Sequence, residues 1–215
     1  MGAPTSSLDF SSFGLINDQK VLTDNRSNLE NFTLSARPGT DIWRKNLLIA
    51  ATPKLDEDFT APRFVGKVAV AGFVSATLTF NASWTRVYDQ AGLVLVLPQP
   101  APGSSAKRQC WLKSGIEMLD GIAMLGATSA TIEISREPVN PTNGKGASLH
   151  VDWIQPNGKR ILIRDITWMF EGDLSGEVEV GAYVARPIRL EEDAGTPSEL
   201  LTLHFTDLQV KYRDN

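Results

Sequence analysis

The strongest constraint on this chain is its punctuation. Short runs of alternating apolar and polar residues, bounded by Gly, Pro, Asn and Asp, recur along most of its length. Apolar residues rarely repeat at the three-and-four spacing that gives a helix one buried face. That pattern predicts an all-β protein, a sandwich or a barrel. Strands are expected over residues 32–36, 47–51, 73–84, 90–97, 110–119, 122–130, 131–136, 149–153, 160–168, 177–184 and 201–211. Turn-forming residues cluster at 98–105, 138–146, 155–158 and 191–197, and Pro156-Asn157-Gly158 is the clearest hairpin turn. No internal repeat, low-complexity linker or shift in composition divides the chain. One domain over residues 1–215 is therefore expected, with an irregular N-terminal segment over about 1–28.

The 215 residues are 42% hydrophobic and 21% charged, which suits a chain that buries one sizeable core. The formal charge of −4 supplies no net positive field to collect phosphates, so neither nucleic acid nor a membrane is an expected partner. One cysteine, Cys110, excludes an internal disulfide. Two histidines, His150 and His204, give no zinc-ligand spacing, so no metal and no cofactor is expected. Residues 1–15 lack a basic segment followed by an apolar one, and no later window has the length of an apolar span. The expected location is cytoplasmic. The sequons at Asn25, Asn31 and Asn81 are expected to be unmodified.

Parity within strands locates a candidate site. In 111–118, Leu112, Ile116 and Met118 fall on one face and Trp111, Lys113, Gly115 and Glu117 on the other. In 177–184, Val178, Val180, Ala182 and Val184 face the core, opposite Glu177, Glu179, Gly181 and Tyr183. Ala91, Leu93, Leu95 and Leu97 form the core row of a neighbouring strand. If these strands share one curved sheet, then Gln90, Lys113, Glu117 and Tyr183 line its outer concavity, a surface suited to a sugar or a flat polar molecule. An exposed ion pair between Lys113 and Glu117 accounts for the same pattern without a ligand.

Four blocks carry a resemblance. Thr40-Asp41-Ile42-Trp43-Arg44, Tyr88-Asp89-Gln90-Ala91-Gly92-Leu93, Trp111-Leu112-Lys113-Ser114-Gly115-Ile116-Glu117 and Gly181-Ala182-Tyr183-Val184-Ala185-Arg186-Pro187 resemble, in order, the DUF1349 family of concanavalin A-like proteins. That family includes the fungal regulation-of-enolase protein. The resemblance implies a two-sheet antiparallel jelly-roll sandwich and a regulatory or accessory role in metabolism. It carries over Asp41, Trp43, Asp89, Gln90, Trp111, Lys113, Glu117, Tyr183 and Arg186. At position 42 the family prefers an aromatic where this chain has Ile.

Catalytic patterns are sparse. A glycosidase needs two carboxylates flanking one bond, about 5–5.5 Å apart for retention. Glu177 and Glu179 share a strand face, and Glu117 could approach from a neighbouring strand. The Glu-x-Asp-x-Glu alternation of glucanase relatives is broken here by Met118, Leu119 and Asp120. No nucleophile elbow is present, and the Gly-rich 143–146 opens no helix that would hold phosphate. The sequence thus favours a small-molecule or carbohydrate ligand bound by Asp89, Gln90, Trp111, Lys113, Glu117, Tyr183 and Arg186. One alternative is an enzyme acting on a sugar or secondary metabolite at the same face, with Lys113 and Glu117 as acid and base. The other is a module that docks a metabolic enzyme.

Overall fold

The structure is a computed structural model that describes residues 5–17, 29–44, 57–99, 109–119, 122–123, 129–137, 148–170, 175–193 and 199–214. Its strands are β1 (Ser6–Ser7), β2 (Phe13–Ile16), β3 (Asn31–Ala36), β4 (Ile42–Arg44), β5 (Glu57–Phe59), β6 (Arg63–Ala69), β7 (Phe73–Asn81) and β8 (Gln90–Val96). They continue as β9 (Trp111–Leu119), β10 (Ile122–Ala123), β11 (Ser129–Arg136), β12 (Leu149–Ile154), β13 (Arg160–Ile166), β14 (Glu177–Ala185) and β15 (Leu201–Tyr212).

Among the described residues all of these strands except β4 and β5, which pair only with each other, make two antiparallel sheets packed as a jelly-roll sandwich. One runs β1-β15-β7-β11-β12-β13, with β3 also on β15; the other runs β10-β9-β8-β14-β6-β2. The expected rows of inward side chains fill the space between them: Ala91, Leu93 and Leu95 from β8, Val178, Val180, Ala182 and Val184 from β14, and Leu112 and Ile116 from β9. Opposite them pack Leu78 and Phe80 of β7, Ile132 and Ile134 of β11 and Phe205 of β15. The Pro156-Asn157-Gly158 turn joins β12 to β13 as the sequence predicts. Gly158 adopts φ +80°, a conformation that side chains disfavour, and its N–H donates to the Gln155 carbonyl at 2.8 Å.

Two parts of the chain depart from expectation, and others are not described. The expected strand at 47–51 lies outside the described residues, as do most of 98–105, 138–146 and 124–128. The N-terminal segment, expected to be irregular, contributes β1 to one sheet and β2 to the other. Runs of two and four residues are too short for parity to reveal, and they are held by anchors instead: Phe10 and Phe13 pack on Phe64 at centroid distances of 5.3 and 5.2 Å. Finally, β6 is an extra strand, obscured in the sequence by Arg63, Gly66 and Lys67.

The outer face of the β8 sheet is a second core. Val65, Val94, Val96, Tyr183 and Ala185 are buried there beneath Ile42 and Phe59 of a β4–β5 hairpin. This corrects the expectation of an open concavity. The physical cause stands in β8 itself, where 91–96 are apolar on both parities and so must be covered on both faces. Ile42, at the position where the family prefers an aromatic, is fully buried in that cover.

A candidate ligand cleft at the edge of β9

Register fixes the candidate side chains. Glu117 of β9 lies beside Gln90 of β8 and Ala185 of β14; the next row holds Gly115, Gly92, Tyr183 and Arg63. Lys113 begins the third row, beside Val94 and Gly181. Lys113, Glu117 and Tyr183 thus occupy adjacent rows of one face, with two glycines between them.

The glycines permit that arrangement by close approach. A Cβ on Gly92 would sit 2.0 Å from the Ser114 carbonyl oxygen, and one on Gly115 only 1.8 Å from that of Ala91. No side chain fits either position without moving backbone. The result is a notch in β9, an outermost strand whose residues 111–117 pair on one side only among the described residues. Through the notch runs a cleft of about 230 Å³, lined on the outer face by Lys113, Gly115, Glu117 and Tyr183. Ser114, Val151, Ile163 and Arg164 line it where β12 and β13 of the other sheet approach.

A polar relay stands behind the cleft. The Lys113 ammonium donates to Gln90 Oε1, and Gln90 Nε2 donates to Asp41 Oδ1 at 3.1 Å and to the Tyr88 carbonyl at 3.4 Å. Because an ammonium group only donates, it fixes the amide with its oxygen toward Lys113 and its nitrogen toward Asp41. Asp41 is anchored at the root of the hairpin: its carbonyl accepts from Thr60 N at 2.9 Å and Ala61 N at 3.0 Å, and its Oδ1 also accepts from Ile42 N at 2.7 Å.

Burial tunes these groups. Desolvation raises the Asp41 pKa above its ordinary 3.8, although Lys113 and the hydrogen bonds from Ile42 and Gln90 oppose it. Desolvation lowers the Lys113 pKa below 10.5 despite the attraction of Asp41 and Glu117. Desolvation, with Glu117 and Asp41 adding to it, pushes the Tyr183 phenol far above its ordinary range, so it stays protonated. The cleft is thus lined by Lys113, Glu117 and Arg164 and by the buried, neutral Tyr183, beside an edge strand whose every second N–H and C=O points away from β8.

The other sequence candidates are placed elsewhere. Asp89 and Arg186, 0% and 1% exposed, face each other in the interior: Arg186 Nε donates to Asp89 Oδ1 at 3.0 Å and Nη2 to Oδ2 at 2.8 Å. Arg186 also donates to Thr85 Oγ1 and the Glu199 carbonyl. The pair braces the turn into β8 and is closed to a ligand. Trp111 lies outside the cleft lining, stacked on Phe59 at 6.1 Å with the Arg44 guanidinium 5.8 Å from its ring. Arg63 covers the other side of Phe59 at 4.0 Å. This cation–aromatic stack clamps the hairpin onto the sheet. Glu177 and Glu179 do not join Glu117, because Glu179 shares a row with Val96, and Val96 with Trp111. That row is six residues along the ladder from Glu117, about 20 Å at strand rise. Sequence reasoning missed Arg164 and Ile163; the signal available was a charge interrupting the apolar run of β13.

Fold and cleft define a two-sheet jelly-roll protein with a lateral cleft of small-molecule size. The chain belongs to the DUF1349 family, described as a protein of unknown function, whose pattern it matches over residues 19–212. It is 31% identical over 198 residues to the uncharacterized protein AN7484 of Emericella nidulans, covering 84% of this chain and 89% of that one. A functionally unknown protein from Saccharomyces cerevisiae shares the fold, with TM-score 0.64 and 18% identity over 97% of this chain and 100% of that chain. The Lotus tetragonolobus seed lectin overlaps with TM-score 0.49 and 12% identity over 98% of this chain and 100% of that chain.

Proposed function

We propose that the cleft binds a small polyhydroxylated molecule, a carbohydrate or related metabolite, and that the protein acts in an accessory or regulatory role in metabolism. The observation that carries this reading is the Lys113–Gln90–Asp41 relay set beside the Gly92–Gly115 notch. It holds a donor in a fixed direction near the Glu117 acceptor, with the buried Tyr183 also in the lining. Free edge N–H and C=O groups of β9 supply further partners for hydroxyls. Such an alternation of fixed donors and acceptors over a small apolar floor suits a sugar ring.

Isothermal titration with a panel of neutral and acidic monosaccharides and disaccharides tests it. Saturable binding by at least one sugar, weakened tenfold or more by Glu117→Gln or Lys113→Met, supports the reading. Absence of binding across the panel overturns it.

A second reading rests on one observation: Lys113, whose pKa burial lowers, lines the cleft together with Glu117, a cation and a carboxylate available for general acid and base work at one site. Under that reading the bound sugar is converted, and product accumulates in the wild type but not in Glu117→Gln.

A further inference from the structure

Arg164 occupies a position that ordinarily holds an apolar side chain. It pairs with Val151 of β12, and directly opposite residues of a ladder share a face, so Arg164 starts out on the side that looks toward the other sheet. Its neighbours on that side, Leu149, Val151 and Ile166, are all buried and apolar. The register of β12 on β13 shifts between Val151 and Asp152, leaving Ile163 as an extra residue without a partner. A bulge of this kind bends the strand and re-aims the side chains around it. Here both Ile163 and Arg164 line the cleft, across from Lys113 and Glu117.

The charge there is unbalanced. Lys113, Arg164 and Glu117 are the charged groups lining the cleft, two cations against one anion in a chain whose formal charge is −4. Lys113 is committed to Gln90 and attracted by Asp41 and Glu117. Arg164 has no hydrogen bond or ion pair among the described residues, whereas Arg160 on the same strand pairs with Glu133. Arg164 is exposed on an outermost strand, and a charge there also guards a sheet edge against pairing with another strand. That role asks only for charge at the edge and gives no reason for Arg164 to line a cavity.

Building on the sugar-binding reading above, we infer that the cleft is selective for an acidic sugar, a uronic acid or similar polyhydroxy carboxylate. Its carboxylate is held by Arg164 while its hydroxyls face Lys113, Glu117 and the β9 edge. A guanidinium matches a carboxylate with two parallel N–H donors, which a neutral hydroxymethyl group cannot accept as strongly.

The test compares D-glucuronate and D-galacturonate with D-glucose and D-galactose by titration calorimetry, on wild type and on Arg164→Gln and Arg164→Lys. The uronates are expected to bind at least tenfold more tightly than the parent sugars. Arg164→Gln is expected to weaken uronate binding at least tenfold and neutral-sugar binding by a clearly smaller factor, so that the preference is lost, and Arg164→Lys restores part of it. Equal affinity for uronate and parent sugar, or a preference that survives Arg164→Gln, overturns the inference and leaves the sugar-binding reading standing. Failure of all four sugars and of the wider panel overturns both.

Discussion

Arg186 and Asp89 lock together in the interior through two parallel hydrogen bonds of 3.0 and 2.8 Å, with neither side chain reaching solvent. Asp89 Oδ2 accepts from Arg86 N at 3.0 Å as well, so the pair ties the residue that follows β14 to the turn entering β8. Removing one partner strands a buried charge. Arg186→Met or Asp89→Leu should each destabilise the protein by about 3–5 kcal/mol, and the double variant by clearly less than the sum. Chemical denaturation of the four proteins measures the coupling; simple additivity would show that the two do not act as a unit.

Gly115 and Gly14 make a matched comparison. Both lie in strands, but a Cβ on Gly115 meets the Ala91 carbonyl oxygen at 1.8 Å, whereas one on Gly14 meets nothing within 4 Å. Gly115→Ala should cost about 2–4 kcal/mol and close the notch, while Gly14→Ala should change stability by less than about 0.5 kcal/mol. Thermal midpoints read both, and equal effects would refute the close-approach account.

Asp41 should leave a signature in the pH dependence of stability. Its folded pKa is raised, so between 3.8 and that raised value the folded state binds more protons than the unfolded state. Stability from this group is fully present below 3.8 and is lost as pH rises through the raised value. Asp41→Asn keeps an oxygen for Gln90 Nε2 and Ile42 N but cannot titrate. Urea midpoints from pH 3 to pH 7 should show the wild type losing stability relative to Asp41→Asn as pH rises. A relative gain would mean that the carboxylate is favoured in the fold.

Phe59 stacks on Trp111 and carries the Arg63 guanidinium over its ring, and the Arg63 Nε and Nη1 atoms are buried with no hydrogen-bond partner among the described residues. The ring face is therefore the principal compensation for that cation, whose pKa desolvation lowers against the opposing pull of Glu179. Phe59→Ala should cost about 2–3 kcal/mol and loosen the β4–β5 cover. Phe59→Leu should retain packing area but lose the cation contact, falling between the two. Denaturation midpoints in that order support the stack; indistinguishable Ala and Leu variants would not.

The strands that sequence parity revealed were those with one buried face. Glu177-Val-Glu-Val alternates because one side of β14 meets solvent there, and its register emerges directly. By contrast, the run Ala91-Gly-Leu-Val-Leu-Val carries information about a second cover that parity discards, since Val94 and Val96 were left without a place. The covering hairpin was itself illegible, being two strands of three residues whose pairing spans a long separation in sequence. Lys113, Glu117 and Tyr183 were brought to one cleft because they share a face in adjacent rows. Asp89 and Arg186 belong to the same sequence blocks yet turn inward, and no periodicity distinguishes a buried ion pair from two polar contacts.

The two lateral sides of the sandwich are built unequally. On one, Phe10, Phe13, Phe64, Phe32 and Phe205 follow one another at 5.2–5.3 Å from sheet to sheet. On the other, β9 and β13 stand apart around the cleft. The molecule is thus bound like a book, with an aromatic spine and an unbound fore-edge. Any parting of the leaves is resisted most at the spine and displaces the fore-edge furthest. The cleft between β9 and β13 therefore lies where a small parting of the two sheets changes their spacing most.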